Sequence, residues 1–231
     1  DKGIFGFGYA APSAVSITNK VSNAGVVASD TAGVGSGREN LSACEYGGDK
    51  GIFGYSSSVN YTNLVSNTGV VASNTAGVGT ARSGTAACEY GPDKGIFGFG
   101  GSYVSITNLV SNTGVVANDT TGVGTARNGL AACGYGGDKG IFGFGNTGSV
   151  VSITNLVSNA GVVALDQAAT TGTTRTQLAA CEYGGDKGIF AFGSTTLKMS
   201  NLVSNAGVVA SDVAGAAGTT GRYYMGACSF N

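Results

Sequence analysis

Five copies of one pentapeptide constrain this chain before any single residue does. Asp-Lys-Gly-Ile-Phe opens at Asp1, Asp49, Asp93, Asp138 and Asp186. Successive starts lie 48, 44, 45 and 48 residues apart, and the last copy runs 46 residues to Asn231. The chain divides into repeats 1–48, 49–92, 93–137, 138–185 and 186–231, with nothing left over. A period in the forties is the length of one four-stranded propeller blade, and self-similarity at that period outranks any local motif. Propellers host unrelated functions, so the period constrains the fold far more than the activity.

The third repeat reads as such a blade. Gly95-Ile96-Phe97-Gly98-Phe99 is short, apolar and aromatic and predicts a strand. Val104 to Val110 predicts a second, and Ser111-Asn112-Thr113-Gly114 then supplies turn chemistry. Val115-Val116-Ala117 predicts the start of a third strand. A Gly/Thr-rich loop ends at Arg127, and Leu130 to Tyr135 predicts the fourth strand. Gly136-Gly137-Asp138-Lys139 turns the chain into the next copy. In the second repeat that turn reads Gly91-Pro92-Asp93, and proline replaces glycine only where the backbone turns. Small residues dominate the strands on both sides of this turn, which places them innermost, where strands crowd an axis.

The expected fold is therefore all-β: one five-bladed β-propeller over 1–231, built from four-stranded blades. Its ring would close by pairing Tyr223 to Phe230 with the N-terminal blade, because one blade is split across the termini. An open solenoid competes, but it would want atypical capping repeats, and the end repeats here are ordinary. A start at Asp1, part-way through a repeat, reads as a mature or excised piece of a longer product.

Thr125-Ala126-Arg127 through Gly145 resembles a kelch-type blade: an arginine, a small-residue strand, a turn, then an aromatic strand closing on glycine. The tryptophan common in the outer strands of kelch-type repeats is absent, since the chain has no Trp. The wording Asn-Leu-Val-Ser-Asn-Thr-Gly-Val-Val-Ala, then Gly-Val-Gly-Thr-Ala-Arg, then Tyr-Gly-x-Asp-Lys-Gly-Ile-Phe-Gly is similar to repeat proteins predicted from bacteriophage and environmental viral sequences. That resemblance covers the whole chain. It implies a virion- or tail-associated protein at an extracellular or virion surface, and it implies no particular activity.

Charged residues make up only 11% of the chain and the net charge is −1. So weak a field gives little attraction to nucleic acid and little repulsion between copies, so self-association is easier than usual. No apolar run approaches the ~20 residues of a membrane helix, so no membrane insertion is expected. Five cysteines, Cys44, Cys88, Cys133, Cys181 and Cys228, occupy one column. An odd set cannot all pair within the chain, and their spacing is unlike a metal or redox pair. They are expected to be reduced, buried core residues.

The chain has no histidine, which removes the commonest general base and every Ser-His or Cys-His arrangement. Carboxylates remain, but Asp1, Asp49, Asp93, Asp138 and Asp186 share one turn, and Glu45, Glu89 and Glu182 share a column with Gly134 and Ser229. A catalytic centre is asymmetric, so neither catalytic residues nor a cofactor nor a metal site is expected. Arg38, Arg82, Arg127, Arg175 and Arg222 form a further column. One reading is a structural ring tying loop carbonyls together. The other is a five-fold set of donors at the channel mouth, suited to anionic or polyol ligands. Asn19, Asn63, Asn108, Asn155 and Asn201 are expected to satisfy backbone groups. Asn40, Asn60 and Asn118 sit in Asn-x-Ser/Thr triplets, about as many as chance supplies in so polar a sequence.

The repeats differ most in two loop sets. One follows the Phe-Gly strand (Tyr9 to Thr18, Ser57 to Thr62, Gly101 to Thr107, Asn146 to Thr154, Ser194 to Ser200), and the other precedes the arginine, most of all Leu165 to Thr174. A four-stranded meander puts both on one face. Variation on one face and uniformity on the other is the pattern of a scaffold with a specialised binding face. Tyr9, Tyr61 and Tyr103 lie in these loops as candidates for stacking on a sugar or a protein. The expectation is a non-catalytic structural or recognition module, virion- or appendage-type, meeting a protein or glycan surface. A lectin with quasi-equivalent sites between blades, or a self-assembling extracellular fibre subunit, is the alternative. The repeated aromatics (Phe53, Phe97, Phe142, Phe190 and Tyr46, Tyr90, Tyr135, Tyr183) read as core, which counts against the lectin.

Overall fold

The computed structural model describes residues 2–56, 59–167, 172–194 and 197–229. Among them the chain is all-β, without a helix, so none is long and apolar enough to cross a membrane. In chain order the strands are β1 (Gly3–Gly6), β2 (Tyr9–Ala10), β3 (Ser13–Ala14), β4 (Thr18–Val21), β5 (Ser42–Tyr46), β6 (Lys50–Ser56), β7 (Val59–Val65), β8 (Ala86–Tyr90) and β9 (Lys94–Gly98). They continue as β10 (Thr107–Val110), β11 (Ala131–Tyr135), β12 (Lys139–Gly143), β13 (Thr154–Val157), β14 (Ala179–Tyr183), β15 (Lys187–Ala191), β16 (Met199–Val203) and β17 (Val213–Ala214).

The repeat builds one antiparallel sheet each time. β5-β6-β7, β8-β9-β10 and β11-β12-β13 are three-stranded, and β14-β15-β16-β17 has a fourth strand. Each sheet starts in the last strand of one repeat and continues into the next, across the glycine turn. Register is the same throughout: Cys88 faces Ile96, Cys133 faces Ile141 and Cys181 faces Ile189. Gly47, Gly91, Gly136 and Gly184 open those turns at φ of 61° to 64°, a backbone position that only glycine adopts without strain.

The expected strand after the Ser-Asn-x-Gly turn is mostly absent as a strand. Val116 and Thr120 make isolated bridges to Val110 and Thr107, and a side chain supplies part of the ladder: Asn108 Nδ2 donates to the Ala117 carbonyl at 3.0 Å. A backbone held by an asparagine amide needs no continuous strand there.

Successive sheets stack through a joint that recurs four times. Phe53, Phe97, Phe142 and Phe190 press onto Gly6, Gly54, Gly98 and Gly143 of the sheet before. At the last three of these a Cβ would stand 2.7 Å from the ring, too close for any side chain. Each ring also meets an aromatic edge to face: Phe7–Phe53, Tyr55–Phe97, Phe99–Phe142 and Phe144–Phe190, with centroids 5.1 to 5.2 Å apart. Further in, Cys44, Cys88 and Cys133 fill the space beside Gly95, Gly140 and Gly188. The four phenylalanines are buried, as are Tyr46, Tyr90 and Tyr135, while Tyr183 is half-buried.

The innermost strands β5, β8, β11 and β14 pack side by side. Glu182 on β14 feels the charge of Glu45 on β5, three sheets away. The first sheet is the exception to the pattern. β1 pairs with β4 alone, and no strand covers its inner edge among the described residues. The segment 223–229, expected to close the ring there, forms no strand, and Phe230 and Asn231 lie outside the described residues. Its backbone bonds run to the fifth sheet instead: the Tyr224 amide donates to the Gln177 carbonyl. Cys228 is consequently exposed and Cys44 and Cys181 are half-buried, against the expectation of five buried thiols; Cys88 and Cys133 are buried.

Candidate functional site

The two ends of each sheet differ in chemistry. At one end the glycine turns and the Ser-Asn-x-Gly turns meet: Asn67, Asn112, Asn159 and Asn205 donate to Asp49, Asp93, Asp138 and Asp186 at 3.0 to 3.2 Å. Lys50, Lys139 and Lys187 pair with the adjacent aspartates at 2.8 to 2.9 Å. Those aspartates are held below their usual range by the lysine first and the asparagine second. This turn face repeats almost unchanged, and it shows an exposed valine each time: Val26, Val70, Val115, Val162 and Val208, each 60 to 65% exposed.

The other end carries the variable loops and the arginine column. Arg38, Arg82, Arg127 and Arg175 are only 0 to 3% exposed. Each lies over an aromatic ring at 4.3 to 4.6 Å: Phe7, Tyr55, Phe99 and Phe144. These rings sit at φ of 60° to 64°, so the backbone is strained to present their faces. The guanidinium groups then reach into the next sheet. Arg127 donates from Nε to the Phe144 carbonyl (2.8 Å), from Nη1 to the Thr125 carbonyl (3.0 Å) and from Nη2 to Asn155 Oδ1 (2.6 Å). Arg82 does the same with Phe99, Thr80 and Asn108, while Arg38 and Arg175 reach Asn63 and Asn201. The asparagines pass the network on to Asp119, Asp166 and Asp212. Burial alone would raise those three carboxyls, but the threonine and asparagine donors and the arginine charge outweigh it and hold them below the usual range. Burial pushes Arg127 down to about 10, which leaves it charged at neutral pH.

Four arginines are thus hydrogen-bonded inside the joints and shielded from solvent. Arg222 differs. It stacks on Phe192 at 4.5 Å, is exposed, and points Nε at Met225 sulfur, with no asparagine partner among the described residues. The internal aromatic between two small residues, repeated at positions 7, 55, 99, 144 and 192, was the available sequence signal for this stack.

The tyrosine candidates separate. Tyr9, 60% exposed, stands on the β2–β3 ribbon, and Tyr103, 41% exposed, on a turn at φ 64°. Tyr61 lies within β7, half-buried, and its carbonyl accepts from Arg38; the loop expected to contain it ends earlier. Leu165 is exposed in the loop before Arg175, of which residues 168–171 lie outside the described residues.

Two features on the inner side of the stack were not expected from sequence. Glu182 lies across Gly134, where a Cβ would meet its carboxylate. Burial among the inner strands, then the charges of Glu45 and Glu182, push Glu89 up to about 7. At the loop-face end runs a backbone ladder. Gly84, Gly129, Gln177 and Tyr224 donate in turn to the carbonyls of Asn40, Gly84, Gly129 and Gln177, at 3.1, 3.3, 2.7 and 3.1 Å. All five members have φ between 54° and 60°. No group of three potential metal ligands comes together among the described residues. No protein-family model matches the chain, and no curated protein is similar to it.

Proposed function

We propose that this chain is a non-catalytic recognition module, a five-bladed propeller that meets a protein or glycan surface through its loop face. The closed ring is supported by the two free ends of the stack, each of which lacks what the other offers. Among the described residues Arg222 has its aromatic but no asparagine, and Asn19 holds Ala28 and Asp30 with no arginine. Phe5 is exposed, the counterpart of the four buried joint phenylalanines. Gly25 faces open space where its equivalents Gly114, Gly161 and Gly207 each cover a tyrosine and a leucine, and Tyr183 and Leu202 lie only partly covered. Bringing the ends together makes a fifth copy of the joint.

The observation that carries the recognition reading is the contrast between the faces. The turn face is the same Asn-Asp-Lys unit again and again, whereas the loop face exposes different side chains in each sheet, Tyr9, Tyr103, Val150 and Leu165 among them. Recognition of one partner needs an asymmetric surface, and only the loop face has one. The resemblance to phage and environmental viral repeat proteins adds a virion or appendage setting. A second reading, self-association into a fibre, is favoured by the exposed valine that recurs on the turn face. Serine substitutions separate the two. Loss of partner binding with Tyr9→Ser, Tyr103→Ser and Leu165→Ser, and not with Val115→Ser and Val162→Ser, is expected. Binding that survives the loop changes, with sedimentation showing oligomers that the valine changes dissolve, would refute the recognition reading in favour of assembly.

A further inference from the structure

The axial ladder carries side chains that the fold does not require. A non-glycine residue at φ near +55° is strained where glycine is not. Gly84 and Gly129 occupy two of the five ladder positions without that strain, and the same bonds form there. Gln177 at φ 58° and Tyr224 at φ 55° nevertheless occupy two consecutive positions. Their side chains bond to each other, Gln177 Nε2 donating to the Tyr224 hydroxyl at 2.6 Å. Tyr223 lies beside Tyr224 with ring centroids 5.3 Å apart and planes tilted by 54°. The two rings are 48% and 69% exposed, so this fixed aromatic pair contributes little to the core. The preceding pair in the ladder, Gly84 and Gly129, carries no side chains, and a Cβ at Gly129 would meet Thr176 Oγ1.

We infer that Tyr223, Tyr224 and Gln177 form a binding site for a neutral sugar ring at the axial mouth. An exposed tyrosine face suits the C–H face of a pyranose, because it is apolar in the middle and polar at its hydroxyl. The Tyr224 hydroxyl accepts from Gln177, so its own proton remains for a sugar oxygen. Gln177 Oε1 and the second Nε2 proton are an acceptor and a donor at the same edge, the pair that a sugar hydroxyl satisfies. The three side chains are uncharged, which fits a neutral hexose unit rather than an acidic one. The site is single, because no other repeat carries this trio. It rests on the recognition reading and names a ligand class for it.

The test uses the full chain on immobilised neutral oligosaccharides ending in glucose, galactose, mannose or N-acetylglucosamine, with sialyllactose as the charged control. Retention of at least one neutral member above the control is expected. Tyr224→Gly restores the residue that Gly84 and Gly129 already use, so it should leave the melting temperature nearly unchanged. It should weaken retention about tenfold or more, the loss of one stacking face with its hydrogen bond, and Tyr223→Ser should weaken it less. No retention of any neutral member, or retention unchanged in both variants, overturns the inference. Retention lost through Tyr9→Ser and Tyr103→Ser but kept in Tyr224→Gly also overturns it, and leaves the loop-face reading standing.

Discussion

Ring closure predicts that Arg222 and Asn19 are energetically coupled as strongly as Arg127 and Asn155. The internal pair sets the scale. Arg127 is fully buried, and its Nη2 donates to Asn155 Oδ1 at 2.6 Å. A hydrogen bond to a charged group contributes ~1.5–3 kcal/mol, so a double-mutant cycle between Arg127→Ala and Asn155→Ala should return ~2 kcal/mol of coupling. Arg127→Ala alone should cost more, ~4 kcal/mol, because the Phe144 and Thr125 carbonyls lose their donor and Phe99 loses its cation. At the seam, an open stack leaves Arg222 its exposed stack on Phe192, worth ~0.5–1 kcal/mol, a contact with Met225 sulfur, and no coupling to Asn19. A closed ring raises both figures toward those of the internal pair. One departure at the seam lowers the expectation slightly: Ala191 stands where Gly6, Gly54, Gly98 and Gly143 make room for a ring, so Phe5 must seat less deeply. Urea unfolding of the four variants of each cycle measures both couplings. Coupling within error of zero for Arg222 and Asn19, beside clear coupling for Arg127 and Asn155, would show that the ring does not close and sink the propeller reading.

Two more outcomes are expected. Glu89, pushed up to about 7 from 4.5 by burial and by its axial neighbours, favours the folded state while protonated. That contribution is fully present below about pH 4.5 and is lost as pH rises through about 7, so the melting temperature should decline between about pH 4.5 and pH 7. Salt and Glu89→Gln should both flatten this slope; an equal slope in the variant would remove Glu89 from the account. The lowered aspartates Asp119, Asp166 and Asp212 act in the opposite sense, and their stabilisation is lost only as pH falls through their folded-state values, below about 3.8. For the thiols, a closed ring covers Cys181 and Cys228 as Cys88 and Cys133 are covered, so native protein should label slowly and unfolded protein should give all five equivalents. Rapid native labelling at Cys228 alone would report an open seam.

Much of the sheet was legible because its signals are local and repeated five times. The hairpin of β8 and β9 follows from Gly91-Pro92 between two apolar runs, and the innermost place of Ala131–Tyr135 from its small residues. The arginine column was visible as a column, but its destination was not. Whether Arg127 faces solvent or Asn155 depends on how one sheet lies on the next, and its partners stand 17 to 28 residues away in sequence. The same holds for Tyr61, which a loop pattern placed outside the strand that pairing with β6 extends to include it.

What the sequence determines by itself is the unit: its length, its turns, and the strand register that glycine and cysteine positions impose. Tertiary structure alone decides how units meet. Only stacking brings Phe142 onto Gly98, buries four arginines and leaves the fifth exposed. Only stacking buries Glu89 and brings the charges of Glu45 and Glu182 to bear on it, which shifts it toward neutrality. The physical reason is range. Turn chemistry and hydrophobic period act over a few residues and are written in order along the chain. Desolvation, ring packing and the coupling of distant charges arise between residues that share a neighbourhood only once the sheets have been laid against each other.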